Sequence, residues 1–212
     1  MKGHSLSEHA PLFATLESGL VVRLRPIGID DLERVHQAYE LLSAESRMNR
    51  FWEKPKEINS SRAKALVDTN DRNHIAWIAL HESDDTFPGY AGASIWRDPE
   101  NPTHAEITFT VADRWHRQGL ATLLFSILWL EAWHQGIRHF HATARLGNIA
   151  ILSWWESVGG SISDHAHHRE FSFELEAPSH FLQKIPYEMP PSNRRIELAE
   201  WMAFWGSSRE NQ

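Results

Sequence analysis

The sequence predicts an α/β fold in which a mixed central sheet is flanked by helices, and three observations support this prediction. Several short segments alternate apolar and polar residues, as half-buried strands do. Segments with apolar residues at helical spacing lie between them, and residues 120–133 are apolar almost throughout, as in a buried helix. Hydrophobic residues make up 42% of the 212-residue chain, which is enough for a sizeable core.

The N-terminal part of the pattern predicts one strand followed by three helices. Residues 20–27 alternate and predict the strand. Asp30 can cap the first helix, with Glu33 as its capping-box partner three positions later. The predicted helices are residues 30–42, residues 43–52 with Ser43 as the cap, and a third that begins at Ser60 or Ser61.

The middle of the chain predicts an antiparallel meander of three strands, at residues 74–81, 90–96 and 104–111. Turn-rich sequences, ESDDTFPG and RDPENP, separate the strands. The third strand alternates cleanly, so its odd and even positions face opposite sides. One face carries Ala105, Ile107, Phe109 and Val111, and the other carries Glu106, Thr108 and Thr110.

After the buried helix, the pattern predicts a strand at 139–144, a helix at 148–158 that Gly159 and Gly160 end, and short strands at 160–164 and 170–176. The predicted organisation is therefore an N-terminal arm (1–17), one domain (18–176) and a C-terminal extension (177–212). The extension contains four prolines and then an amphipathic helix at 193–206. We expect this helix to pack on its own domain or on a second subunit of a homodimer.

Composition excludes several classes of function. The chain has no cysteine, so it has neither disulfides nor a cysteine nucleophile. A formal net charge of −7, without a run of basic residues, argues against nucleic-acid binding. No apolar run is long enough to span a membrane, and the N-terminus lacks the apolar region of a secretory signal, so we expect a cytoplasmic protein without a membrane partner.

The stretch VADRWHRQGLAT, which leads into the long apolar helix, has the composition of an anion-binding loop. A helix N-terminus presents unpaired N–H groups and a positive dipole end, and it binds phosphate where side chains leave it open. Gly119 removes a side chain and Ala121 keeps the first turn small. His116 and Arg117 can add positive charge, and Thr122 a hydroxyl. A plain strand–turn–helix junction is the alternative, because one glycine motif is weak evidence.

The order of the elements and three short segments resemble the GCN5-related N-acetyltransferase (GNAT) family over about residues 18–176. The family's coenzyme A loop reads Gln/Arg-x-x-Gly-x-Gly/Ala, and this chain has HRQGLA, with His116 at the first position. LSAESRMNRFW is similar to a stretch of the subgroup related to bacterial protein lysine acetyltransferases. NIAILSWWESVGG is similar to the family's Asn-led helix, with Gly160 where phenylalanine is usual.

The resemblance implies a GNAT fold and direct transfer of an acetyl group from acetyl-CoA to a primary amine, on a protein lysine or a small molecule, with no covalent acyl-enzyme. Glu106 is the candidate general base; an ordinary exposed strand glutamate is the alternative. The family places an oxyanion donor near the backbone N–H of Val111. The implied coenzyme A contacts are Phe109, Val111, His116, Arg117, Gln118, Gly119, Leu120, Ala121, Thr122, Asn148 and Trp155.

Two positions depart from the family pattern or stay ambiguous. The family usually protonates the leaving thiolate with a tyrosine of the Asn-led helix, and Trp155 occupies that position here. Asn148 either contacts coenzyme A or only caps its helix. A catalytically weak module that binds acyl-CoA as a sensor or scaffold therefore remains the alternative function.

Histidine-containing patterns outside the VADRWHRQGLAT stretch are weaker evidence for a functional site. His81 and Asp85 have the His-x-x-x-Asp spacing of another acyltransferase class, but they fall on a strand end and an acidic turn. His139 and His141, or the histidines of HAHH (165–168), have spacings that can bind metal. No carboxylate is clearly placed with them in the sequence, so we expect exposed histidines and no metal.

Overall fold

The computed structural model describes residues 12–16, 18–52, 56–68 and 71–177. The strands are β1 (Leu12–Thr15), β2 (Val21–Pro26), β3 (His74–His81), β4 (Ala91–Arg97), β5 (His104–Val111), β6 (His139–Arg145), β7 (Ser161–Asp164) and β8 (His168–Glu174). The helices are α1 (Leu32–Glu40), α2 (Ala44–Phe51), α3 (Ser60–Val67), α4 (Leu120–His134) and α5 (Ile149–Ser157). None of these helices combines the length and hydropathy that crossing a membrane requires.

The strands form one sheet in the order β1-β2-β3-β4-β5-β6-β8-β7. Every neighbouring pair is antiparallel except β5 and β6, which are parallel. A parallel pair needs a crossover connection, and here α4 provides it. The predicted meander β3-β4-β5 and the mixed sheet flanked by helices are confirmed, with strand limits shifted by no more than two residues in this part of the chain.

Both faces of the sheet are covered, because alternate residues of β3 belong to different cores. Trp77 and Ala79 join the large cluster that contains α4 and α5, whereas Ile78 and Leu80 join a smaller cluster beneath α1 and α3. The buried residues of α4 run around its whole circumference. The indole of Trp129 donates to the carbonyl of Glu176 at 3.0 Å.

One predicted helix cap is confirmed and one is wrong. The Ser43 hydroxyl accepts the N–H of Ser46 at the start of α2, as expected. The chain enters α1 through a 3-10 turn at Ile29–Asp31, and it is the buried Asp31, not the exposed Asp30, whose carboxylate accepts the N–H of Gly28 at 2.9 Å.

The structure also contains a strand that the sequence pattern does not predict. Residues 12–15, which belong to the poorly patterned N-terminal arm, form β1 and pair along its length with β2. This strand is short and lies at the sheet edge, so its sequence carries little periodic signal. The predicted linker and the helix at 193–206, including its role in a homodimer, lie outside the described residues.

A charged cluster fixes the entry to α1. Two nitrogens of Arg25 donate to the Asp31 carboxylate at 2.6 and 2.7 Å, and Arg34 donates to it at 3.2 Å. Burial disfavours the ionised form, but the hydrogen bonds from Arg25 and Gly28 outweigh that penalty, and the pKa of Asp31 lies below its usual value. A depressed carboxyl pKa stabilises the fold above the unfolded-state pKa, and this contribution is lost as pH falls through the folded-state value.

We therefore expect Asp31→Asn to lower the free energy of unfolding by about 2–4 kcal/mol at neutral pH, because two arginines lose their shared counter-ion. The difference in free energy of unfolding between Asp31→Asn and wild type should become smaller below about pH 4. Urea denaturation at several pH values measures both effects. The matched control is the exposed neighbour in Asp30→Asn, for which a change within about 0.5 kcal/mol is expected. Equal losses in the two variants would contradict this assignment.

Candidate active site

A cleft of about 540 Å³ opens where β5 and β6 diverge. The two strands pair only at His104↔His139, Ala105↔Phe140 and Glu106↔His141. Beyond this point β5 continues against β4 to Val111, while β6 continues against β8. The gap between them is lined by β5, the small residues Ala142 and Ala144 of β6, and the starts of α4 and α5.

The edge of β5 that faces the gap carries free backbone groups. The N–H of Ala112 donates to the carbonyl of Tyr90, so the even-numbered positions of β5 turn their N–H and C=O groups toward β4. Phe109 and Val111 therefore turn theirs toward the side where β6 has left. An extended chain can hydrogen-bond to such an edge in the way that an added strand does.

The loop after β5 delivers the chain to α4 with an open N-terminus. A 3-10 turn at Asp113–Trp115 is followed by Arg117 at φ 59° and Gly119 at φ 83°. Gly119 is the N-cap and has no side chain with which to cap the helix. The first N–H groups of α4 consequently point into the cleft, where Leu120, Ala121 and Thr122 form part of the lining.

The side chains of this loop are only partly available to a ligand. The Nε2 of His116 lies 2.9 Å from the carbonyl oxygen of Val111; because a carbonyl only accepts, Nε2 carries the proton. Thr122 Oγ1 accepts the indole N–H of Trp154 at 3.0 Å, which leaves its own proton free to donate. Gln118 does not line the cleft, and its amide oxygen accepts instead from Ser18 at 3.2 Å.

Asn148 and Trp155 occupy the α5 side of the cleft in different ways. The Oδ1 of Asn148 accepts the N–H of Ile151 at 3.4 Å, so the residue caps α5 and keeps its amide nitrogen for another partner. Trp155 is only 2% exposed and packs among aromatic rings, including Phe109 at a centroid distance of 5.6 Å and Phe173 at 4.8 Å. The residue predicted to contact coenzyme A is thus mainly a core residue with one edge in the cleft.

Glu106 is exposed in the cleft at the last position where β5 and β6 pair. Trp96 of β4 and His141 of β6 are its cross-strand neighbours and therefore lie on the same face of the sheet. The side chains of Glu106 and Arg50 attract each other electrostatically. Glu106 and the loop that leads into α4 thus face one cavity.

Arg50 is a cleft residue that the sequence reasoning did not single out. Its guanidinium donates to Thr108 Oγ1 at 2.9 Å, and its buried Nε has no hydrogen-bond partner within the described chain. Burial lowers the pKa of Arg50 to about 10, and the opposing attraction of Glu106 is weaker, so the group remains a cation at neutral pH. Ser46 and Arg50 are four residues apart, which puts both on one face of α2. This spacing is the sequence signal by which Arg50 could have been identified.

Asp113 joins the two halves of the cleft. Its carboxylate accepts the N–H of Ser43 at 3.0 Å, the hydroxyl of Ser43 at 2.6 Å and that of Ser46 at 2.8 Å, all at the start of α2. Burial raises the pKa of Asp113, but these hydrogen bonds outweigh it and hold the pKa below its usual value. The loop that leads to α4 is therefore tied to the helix that carries Arg50.

Comparison with known proteins decides the family. The sequence profile of the acetyltransferase (GNAT) domain matches residues 22–161, about two thirds of the chain. The chain belongs to the GNAT acetyltransferase family. Its described part is thus a GNAT acetyltransferase domain, as the sequence predicted.

Individual relatives agree with this assignment. The chain is 25% identical over 149 residues to acetyltransferase Pat of Mycolicibacterium smegmatis, and the match covers 70% of this chain but only 44% of that relative. The GNAT domain of S. lividans PAT has 22% identity and a TM-score of 0.71, over 78% of this chain and 97% of that one. YncA of Salmonella typhimurium, solved with acetyl-CoA, has 15% identity and a TM-score of 0.59, over 74% and 97%.

The geometry of this GNAT domain brings together Glu106 and all the predicted coenzyme A contacts except Gln118. His81 and Asp85, which have the spacing of another acyltransferase class, lie outside this cleft. Asp85 instead forms an ion pair with Arg23, and His81 Nδ1 accepts the N–H groups of Ser83 and Asp84.

The link between Asp113 and α2 gives a stability prediction for the GNAT domain. Asp113→Ala should lower the free energy of unfolding by about 1–2 kcal/mol at pH 7, because the Ser43 N–H and two hydroxyls lose their acceptor in a partly exposed place. The loss should shrink as pH falls below about 4, since the depressed pKa confines this contribution to higher pH.

Chemical denaturation at pH 7 and pH 3 measures this dependence on pH. Glu45→Ala is the matched control, because Glu45 is an exposed carboxylate in the same first turn of α2. The assignment fails if Asp113→Ala is no less stable than this control at pH 7.

Proposed function

We propose that the chain transfers an acetyl group from acetyl-CoA directly to a primary amine on a protein lysine or a small molecule. One observation carries the proposal: the free edge of β5, the open N-terminus of α4 and the carboxylate of Glu106 all face the same cleft. The free edge of β5 suits the pantetheine arm of coenzyme A, and the open N-terminus of α4 suits its pyrophosphate. The Glu106 carboxylate can accept the proton that an amine nucleophile must lose.

The cleft fits coenzyme A by chemistry as well as by volume. The pantetheine arm contains amides, which the backbone N–H and C=O groups of Phe109 can bind as a neighbouring strand would. The pyrophosphate is an anion, and the first N–H groups of α4 together with Arg117 can hold it. YncA, which shares the fold, binds acetyl-CoA, and this supports the same ligand here.

Acetyl-CoA supplies the acetyl group in activated form, as a thioester. The amine must lose a proton before it attacks, and for a lysine-like pKa of about 10.4 this costs roughly 4–5 kcal/mol at pH 7. Glu106 is exposed at the floor of the cleft and can accept that proton, directly or through one water.

Attack on the carbonyl carbon places negative charge on its oxygen. The N–H of Val111 points into the gap and is the proposed donor, because the carbonyl of the same residue is bound by His116 and the local backbone is thereby oriented. A donor of this kind is typically worth about 3 kcal/mol in the transition state. The carbon–sulfur bond then breaks and coenzyme A leaves as the thiolate.

Trp155 supplies no acid for this last step, since its ring is buried among aromatic side chains. A thiol pKa near about 8.5 makes the thiolate an adequate leaving group without a protein acid. The same feature favours the second candidate function, an acyl-CoA-binding module with little turnover. Release of free thiol in the presence of a panel of amines distinguishes the enzyme from the module.

Coenzyme A binding is tested at Ala121, in the first turn of α4. Ala121→Glu puts bulk and negative charge where the pyrophosphate is proposed to bind, so we expect coenzyme A affinity to fall by about 100-fold or more by calorimetry. Gln118→Glu adds the same charge in the same loop but outside the cleft, and a change within about threefold is expected at physiological salt. Unchanged affinity in Ala121→Glu would refute the proposed phosphate site.

The base role is tested by the pH profile of Glu106→Gln. At pH 7 its kcat/KM should fall by about 10²- to 10⁴-fold, because the amine must deprotonate without help. The difference in kcat/KM between wild type and Glu106→Gln should become smaller toward pH 10, where the free amine is abundant. Glu100→Gln, in the turn between β4 and β5, is the control and should resemble wild type. A loss that is equal at every pH would exclude Glu106 as the base.

A further inference from the structure

The β7–β8 hairpin places two histidines side by side at its tip. The N–H of His165 donates to the carbonyl of His168 at 3.0 Å, which closes a loop of two residues, Ala166 and His167. His165 and His168 are therefore directly opposite each other, and their side chains share one face of the hairpin. Their rings stack at a centroid distance of 4.7 Å and an interplanar angle of 11°.

The carboxylate that the sequence pattern did not reveal is Glu170. It lies two residues after His168 on β8, so its side chain emerges on the same face. Its two oxygens lie 3.4 Å from Nε2 of His165 and 3.3 Å from Nε2 of His168. All three ligand atoms lie within 4.8 Å of one another.

We propose that His165, His168 and Glu170 form a binding site for one divalent transition-metal ion, with Zn²⁺ as the representative ion. Two nitrogens and a carboxylate oxygen are ligands that Zn²⁺ accepts, and three protein ligands leave a fourth position for water. In a tetrahedral site with bonds of about 2.0–2.2 Å, ligand atoms are separated by about 3.3–3.5 Å. The distances of 3.4 and 3.3 Å involve the two different oxygens of Glu170, and the three ligand atoms, which lie within 4.8 Å of one another, are close enough to bind one ion after small side-chain movements.

The surroundings of the three residues favour a fixed site over a chance cluster. On the opposite face, Arg169 donates to Asp164 at 2.6 Å and to Glu156 of α5 at 3.4 Å, which ties the hairpin to the domain. The ring of His168 also meets the edge of Trp52 at a centroid distance of 6.3 Å. Since Trp52 lines the α2 end of the cleft, a bound ion would hold the hairpin against the cleft rim.

His167 provides the control that the hairpin itself offers. It lies in the same loop and is exposed, but it contributes no atom to the cluster. If Zn²⁺ bound only because several histidines lie close together, its affinity would depend equally on all three histidines of the hairpin. A site made by the geometry described above would depend on two of them and on Glu170.

The test is Zn²⁺ titration of the full-length chain by calorimetry after treatment with a chelator. Loss of an outer-shell group typically costs about 10- to 100-fold in metal affinity, so loss of a ligand should cost at least as much. We expect this loss in His165→Ala and His168→Ala, a smaller one in Glu170→Gln, and wild-type affinity in His167→Ala. Thermal unfolding gives a second readout, because Zn²⁺ should raise the Tm only of wild type and His167→Ala.

The proposal is overturned if wild type and His165→Ala bind Zn²⁺ equally, or if His167→Ala weakens binding as much as His168→Ala. Wild type that binds no Zn²⁺ at millimolar concentration has the same meaning. The three residues are at the surface, so their replacement should leave the fold intact, and far-UV circular dichroism checks this. The assay does not involve acetyl transfer, so its result is independent of the proposed reaction.

Discussion

The divergence of β5 and β6 is the constraint on which the cleft depends. Parallel pairing ends at Glu106 and His141, and beyond this point β5 pairs only with β4 and β6 only with β8, each on the side away from the gap. Aromatic residues fill the base of the resulting gap: Phe109 of β5 contacts Trp154 and Trp155 of α5 at centroid distances of 5.5 and 5.6 Å. The rings separate the strands, and the small side chains on β6 leave room above them.

The cleft concentrates donors whose partners are missing from the described chain. The first N–H groups of α4 have no side-chain cap, Arg50 Nε and Trp115 Nε1 are buried without a hydrogen-bond partner, and β5 has a free edge. Each such group costs stability. A ligand that carries carbonyl and phosphate oxygens along one elongated chain would satisfy them together, which is the chemistry of an acyl-CoA.

The cleft is rigid at the places where its two halves meet. Asp113 joins the loop between β5 and α4 to α2, and His116 binds the Val111 carbonyl at the end of β5. His116 stands where glutamine or arginine is usual in the family's loop, and its ring donates a hydrogen bond to the Val111 carbonyl. Trp155, in the usual place of tyrosine, likewise adds to the core and gives up a proton donor. Both substitutions favour structural order over additional catalytic groups.

Local patterns along the chain specify the order and type of nearly every element and the loop that begins α4. Apolar periodicity and one glycine act locally, as do the Ser43 and Asn148 caps, which act over three residues. The edge strand β1, the exclusion of Gln118 from the cleft, the attraction between Arg50 and Glu106, and the meeting of Glu170 with two histidines are visible only in the folded structure. These features depend on contacts between separate strands, loops and helices, and local periodicity along the chain does not specify such contacts.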